Sequence, residues 1–319
     1  MPESVNRSLG IILAVSNKKG GSIKTTTSVM TSEALARQGH RVLVVDLDGQ
    51  GNATTSFLGE EIMNARKAER AANPGAPDLY DVFIGTKVDG QPIDLAKLIV
   101  PSNRQGLKLD VLPSTEQLHS IDVSLVQMGI LHGLAKGYET AGNPLSPDER
   151  GDFAAYLAKD IYSHLGDALE PLRHLYDIIF LDCPPGYGIQ TNSALLASDS
   201  VLITMDSSYW SFQAGANATN YFVDELKSIF AKDIVVAGII LCRFQARLLA
   251  HQQVATWLEE AVPDLLFSTR IRESTNFSKM TYASRSLWEA KGKLRDLAAD
   301  YEIFAQELME RIQRSTRTP

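Results

Sequence analysis

The stretch from residue 11 to residue 46 constrains the fold more than any other. Ile11 to Ser16 is an apolar run of strand length. It passes through Gly20 and Gly21 into a helical stretch from about Lys24 to Gln38, which Gly39 can cap. A second apolar run, Arg41 to Asp46, follows. Strand, loop, helix and strand in that order make a βαβ unit. Further apolar runs read as strands at Leu107 to Leu112, Asp177 to Asp182, Ser200 to Met205, Ile234 to Leu241 and Leu265 to Thr269. Most are unbroken runs of Val, Ile and Leu, the pattern of strands buried on both faces. The sequence therefore predicts an α/β fold, a doubly wound and mostly parallel sheet flanked by helices. No composition break marks a second domain, so residues 1–319 read as one. Glu60 to Pro77 is rich in Ala and charge and reads as a helix plus loop, and the Gly, Asn-Pro and Ser-Pro content of 129–152 reads as an insertion.

The loop of the βαβ unit is Asn17-Lys18-Lys19-Gly20-Gly21-Ser22-Ile23-Lys24-Thr25-Thr26-Thr27. Two glycines let successive N–H groups curl around one anion, and the helix N-terminus adds its positive end. Lys24 is placed to reach terminal phosphates, and Thr25 to put its hydroxyl on Mg²⁺. Gly20, Gly21, Ser22, Ile23, Lys24, Thr25 and Thr26 are the expected phosphate-contacting set. A β-branched residue does not easily take φ > 0, so Ile23 predicts either a right-handed loop there or a different local path.

Two aspartate motifs follow at strand ends, where ligands of open α/β sheets bind. The first is Asp46-Leu47-Asp48-Gly49-Gln50, with both carboxylates on one side because side chains alternate. Such a pair can organise Mg²⁺, its waters and an attacking water. The second is Asp177 to Gly188, an apolar strand ending at Asp182 and followed by Cys183-Pro184-Pro185-Gly186. Asp182 suits a hydrogen bond to a Mg²⁺-bound water, and the stiff turn after it suits a switch that senses a γ-phosphate.

A Gly-Gly turn beside a basic helix, or an aspartate capping a turn, arises by chance. Three such motifs in this order, each at a strand end, do not. Together they resemble the ParA/MinD family of deviant Walker A P-loop ATPases. The loop is similar to that family's K-G-G-x-G-K-T-T, with Ile23 in place of a glycine. Asp46 to Gln50 is similar to D-x-D-P-Q, with Gly49 in place of proline and a looser turn expected. Asp182 to Pro185 matches D-C-P-P. The resemblance implies that Lys19 crosses a dimer interface to the partner's phosphates and that Lys24 binds the phosphates in cis. It implies that Asp48 orients the lytic water and touches the metal with Thr25 and Asp182, while Asp46 supports the metal and Lys24. Gly238 to Arg243 and Phe267 to Glu273 resemble the segments around the base, which brings in Arg243, Ile271 and Arg272.

The chain carries a formal net charge of −7, so any DNA contact must be local. Residues 270–295 hold seven basic and two acidic residues, a net +5 that leaves −12 for the remainder. Arg272, Lys279, Arg285, Lys291, Lys293 and Arg295 are the candidate phosphate-backbone contacts; a solvated face of partly paired charges is the other reading. No helix-turn-helix segment precedes the phosphate loop, so operator binding is not expected. Cys183 and Cys242 have no metal-ligand spacing, and the six histidines are scattered. No apolar run reaches membrane-span length, and residues 1–10 lack a signal-peptide core. A last helix, about Leu294 to Ile312, places Leu297, Tyr301, Phe304, Leu308 and Ile312 on one face and Asp300, Glu302, Glu307 and Glu310 on the other. An acidic face is repelled by anionic lipid, so the helix is expected to pack on the sheet.

The expectation is a Mg²⁺-dependent ATPase in the cytoplasm, at the nucleoid. It forms an ATP-bridged homodimer, binds double-stranded DNA without sequence preference, and drives plasmid or chromosome partition with a centromere-binding or cargo-adaptor protein. Positioning of a protein cargo, a MinD-like or metabolic P-loop enzyme, an iron–sulfur reductase and a non-hydrolysing interaction protein are the alternatives.

Overall fold

The computed structural model describes residues 9–17, 20–21, 23–73, 75–124, 162–207, 235–274 and 284–315. Lys19, Ser22, Lys279 and the expected insertion at 129–152 lie outside the described residues, as does the side chain of Lys293.

Strands form where the sequence carries unbroken apolar runs: β1 (Ile11–Ser16), β2 (Val42–Asp46), β6 (Leu109–Leu112), β7 (Ile178–Asp182), β8 (Ser200–Asp206), β9 (Val235–Phe244) and β10 (Leu266–Arg272). These pair in parallel. Three short strands were not legible as such. β3 (Lys87–Val88) and β4 (Gln91–Pro92) form a small hairpin, and β5 (Val100–Pro101) adds an antiparallel edge to β6. Pro101 lacks an N–H and is tolerated at that edge. The eight-stranded sheet has the order β10-β9-β8-β1-β7-β2-β6-β5.

The chain leaves β1 in one direction, to β2, and returns through β7 to β8 on the other side. The winding therefore reverses beside β1, and the crevice at the carboxyl ends of β1 and β7 is the natural ligand position of such a sheet. α1 (Lys24–Arg37) covers one face with α2 (Asn52–Leu58) and α8 (Lys293–Ser315). α3 (Glu60–Ala72) lies exposed beyond α2 with no buried residue. The other face is covered by α4 (Leu79–Phe83), α5 (Ser163–Leu169), α6 (Ile189–Ala197) and α7 (Leu249–Ala261). Among the described residues, no helix is long and apolar enough to cross a membrane.

The terminal helix packs as its periodicity predicts, with Leu297, Tyr301, Phe304, Leu308 and Ile312 buried. Its acidic residues do not all face solvent. Asp300 holds Arg272, and Glu307 accepts from the backbone N–H groups of Ser268 and Thr269 on β10.

One buried ion pair ties distant segments to α1. Glu33 is fully buried, and Arg104 donates to it from Nε at 2.8 Å. Arg104 also donates to the carbonyl oxygens of Ser56 on α2 and Ser284. Arg37 and Ser286 complete the shell around Glu33. Arg104→Ala leaves a buried carboxylate short of its main cation, which typically costs about 3 kcal/mol or more. Urea unfolding of the variant should show a loss of that size. A loss below about 1 kcal/mol would mean that Arg37 and Ser286 suffice for Glu33.

Candidate nucleotide site

The carboxyl ends of β1, β7 and β2 lie side by side. Val15 pairs with Asp182, and Asp182 with Asp46. Two residues earlier on each strand, Val44 and Phe180 sit in the core beneath α1. Alternation therefore puts Asp46 and Asp182 on the α1 side, on adjacent strands whose spacing is about 5 Å.

Both carboxylates are fully buried. Burial raises the Asp46 pKa, and the neighbouring Asp182 charge raises it further, to about 8 against the opposing hydrogen bonds from Thr54. Burial likewise raises Asp182, to about 6, against hydrogen bonds from Ser28 and Thr25. Ser28 Oγ donates to Asp182 Oδ1 at 2.8 Å. Asp182 Oδ2 is buried and has no hydrogen-bond partner among the described residues. An orphaned carboxylate oxygen beside a threonine hydroxyl and a lysine fits a hydrated Mg²⁺, which Thr25 and Asp182 would hold.

Lys24 opens α1 and is 6% exposed. Burial lowers its pKa, while the charges of Asp182, Cys183 and Asp48 oppose that shift. Ile23 makes no side-chain cap hydrogen bond to α1, and the positive end of the helix faces the loop. Gly20 and Gly21 are exposed at the mouth of the loop, and Gly21 has φ 73°. Thr25 and Thr26 are half-buried on the first turn of α1.

Ile23 corrects the sequence reading. It is not right-handed: it is the N-cap of α1, with φ 67° and ψ 21°. A left-handed β-branched residue costs about 1–2 kcal/mol. Its side chain packs against the core under α1, which offsets part of that cost. The backbone thus keeps a conformation that glycine would adopt freely.

Asp46 acts chiefly on its own chain. Its Oδ2 accepts from Thr54 N and Thr54 Oγ1, both at 2.7 Å, and its Oδ1 from Asp48 N at 3.2 Å. It fixes the turn that carries Asp48 and the start of α2. Asp48 is half-buried, and its Oδ1 accepts from Gln50 N at 3.0 Å. Ser28, Thr54 and Ser114, which donates to Asp48 O at 2.6 Å, were not found from sequence. Ser28 lies four residues beyond Lys24, on the same helix face, and that spacing could have flagged it. Thr54 and Ser114 carry no such signal.

The remaining expected residues are farther away. Arg243 ends β9, and Ile271 and Arg272 end β10, two and three strands from β1 at the same end of the sheet. Ile271 is 2% exposed and belongs to the core. Arg243 has φ 54° and pairs with Asp206 and Glu273. Arg272 is held by Asp300 at 2.7 and 2.8 Å and lies 3.5 Å from Asp296. Arg285, Lys291 and Arg295 are exposed on and beside the start of α8. Cys183 and Cys242 are fully buried, and burial pushes the Cys242 thiol up to about 12.

Asp46 and Asp182 keep protons that the unfolded chain releases near pH 4. Their contribution to stability is full below about pH 4 and is lost as pH rises through about 6 and about 8. Nucleotide-free protein should therefore become less stable from about pH 5 to about pH 8. Asp46→Asn should flatten the upper part of that slope. Urea midpoints across pH check this, and an unaltered slope in the variant would assign it to other groups.

Comparison with known proteins places this geometry. Residues 10–133 and 154–236 match the family described as AAA domain. The sporulation initiation inhibitor protein Soj of Bacillus subtilis is 30% identical over 271 residues, covering 85% of this chain and 87% of Soj. The chromosome partitioning protein ParA of Myxococcus xanthus is 30% identical over 309 residues, covering 95% and 89%. The ATP complex of a substituted form of Cyanothece McdA superposes with a TM-score of 0.69 at 21% identity, covering 95% and 98%. The matched family, the Soj and ParA relatives and the buried site at the head of α1 agree: the chain belongs to the ParA/MinD family of P-loop ATPases.

Proposed function

We propose that this protein is a nucleotide-driven switch that hydrolyses ATP and partitions DNA. The observation that carries the reading is the buried pair Asp46 and Asp182 at the head of α1, where Asp182 Oδ2 has no hydrogen-bond partner among the described residues and suits a hydrated cation. Lys24 binds the terminal phosphates, aided by the positive end of α1. Asp48, on a turn fixed by Asp46 and Ser114, orients a water for in-line attack on the γ-phosphorus. Mg²⁺, when bound, supplies charge neutralisation at the phosphates. Lys19 acts in trans, completing the partner's site in an ATP-bridged dimer. Arg243, Ile271 and Arg272 border the base end. A centromere-binding or cargo-adaptor protein accelerates hydrolysis, and the site of action is the nucleoid.

Lys24→Ala removes the cis cation and should lower Mg-ATP affinity by about a hundredfold or more, on the scale of a lost charge-assisted contact in a buried site. Isothermal calorimetry reads this directly, and unchanged affinity would remove Lys24 from the site. Lys19→Ala should bind nucleotide but fail to dimerise in sedimentation, whereas Asp48→Ala should accumulate the ATP-bound dimer.

DNA binding rests on the net +5 of residues 270–295 in an otherwise acidic chain. Two copies per dimer make binding ATP-dependent and steeply salt-dependent through counterion release. Exposed Lys291 and Arg295 are better probes than Arg272, whose guanidinium Asp300 already holds. Reversing both to Glu should weaken binding to any duplex by about tenfold or more at low salt, the scale of losing several phosphate contacts. Filter binding across a salt series checks it. An ATP-bound protein that ignores duplex DNA at low salt would sink the partition reading.

A further inference from the structure

The turn carrying Asp48 has a lateral support that its own residues do not supply. A Cβ at position 49 would lie 2.9 Å from His119 Cγ and Nδ1, and 3.0 Å from Cδ2. The imidazole face therefore rests on the Gly49 backbone. The ring's edge reaches the next residue, with His119 Nε2 at 3.0 Å from Gln50 Nε2. Five residues earlier, Ser114 Oγ donates to Asp48 O. Both Ser114 and His119 belong to one short segment after β6, distant in sequence from the turn they hold.

The same segment grips the turn that follows Asp182. Gln190 Nε2 donates to Leu118 O at 2.8 Å. Asp122 Oδ1 accepts from Ile189 N at 2.9 Å, so Asp122 caps α6 from outside its own helix. A Cβ on Gly188 would meet Asp122 Oδ2 at 3.0 Å. Residues 114–122 thus touch both loops that flank the buried carboxylates.

We propose that His119 is a positioning residue for Asp48, and that residues 114–122 form a strap holding the Asp48 turn in register with the turn after Asp182. This rests on the assignment of Asp48 to the attacking water. It also explains why glycine stands at position 49. The φ of Gly49 is not positive, so its backbone does not demand glycine. The imidazole fills the place of a side chain there, so a Cβ at position 49 would displace the ring. The strap replaces, by a contact from a distant segment, the stiffness that a proline would give the turn locally.

The proposal is tested with a double-mutant cycle of Gly49→Ala and His119→Ala in the full chain. His119 is exposed, so its removal leaves the core intact. His119→Ala should lower kcat by about tenfold, the scale of misplacing a catalytic group by under an ångström, with nucleotide affinity within about twofold. Gly49→Ala should be comparably impaired in the presence of the ring and add less than about twofold in its absence. Hydrogen exchange supplies a readout independent of turnover. The amides of Gln50 and Gly51, bonded to Asp48 Oδ1 and Asp48 O, should exchange faster in His119→Ala. Unchanged exchange at those amides, or a Gly49→Ala effect equal in both backgrounds, overturns the proposal. A wild-type chain that binds ATP but never hydrolyses it would end the hydrolysis reading alone, since the exchange comparison still decides the role of His119.

Discussion

The pairing of β2 with β7 brings Asp46 and Asp182 into register at the buried end of the sheet. Two carboxylates on neighbouring strands repel one another, and both lie out of reach of water, so each resists ionising. The groups around them are arranged against that tendency. Ser28 donates to Asp182, Thr54 donates to Asp46, and Lys24 lies beside them with its own pKa lowered by burial. A site of this kind is held under electrostatic tension that phosphate and a divalent cation would relieve together. Its buried charges are better understood as a ligand site than as a source of stability.

The elements that carry the candidate site are held by partners from remote parts of the chain. The Asp48 turn is fixed from within by Asp46 and from outside by Ser114 and His119. α1, which carries Lys24 and Ser28, is anchored by Arg104 on Glu33 and by the packing of Tyr301 and Phe304 of α8. α2 is bound at its carboxyl end by Arg104 and at its amino end by Asp46. α2 also meets the segment at Ser284, whose Oγ donates to Thr55 O. Arg285, one of the basic residues of the proposed DNA surface, follows one residue later.

Charge patterning along the chain did not translate directly into free charge on the surface. Arg272 belongs to the basic run, yet its guanidinium is held by Asp300 and Asp296. Arg270 is taken up by Glu259 and by carbonyl oxygens of β10. Glu307 belongs to the acidic face of α8, yet it closes the exposed backbone of β10. Among the described residues, complementary charges brought together by the fold leave Arg285, Lys291 and Arg295 as the exposed basic groups of that run.

The sequence by itself determined the βαβ unit, the parallel sheet, the placing of Asp46 and Asp182 at strand ends, and the buried face of the terminal helix. Each is a local signal: an unbroken apolar run, a glycine pair before a helix, a carboxylate at a strand end, or a 3- to 4-residue period. Only the tertiary structure decided which residues hold those groups in place. Ser114, His119 and Arg104 act across long chain separations, and hydrogen bonds made at that range leave no periodicity to read. The left-handed Ile23 belongs to the same class. Local sterics argue against it, and the helix start and core packing around it impose it, because a backbone path fixed on several sides outweighs the preference of one residue.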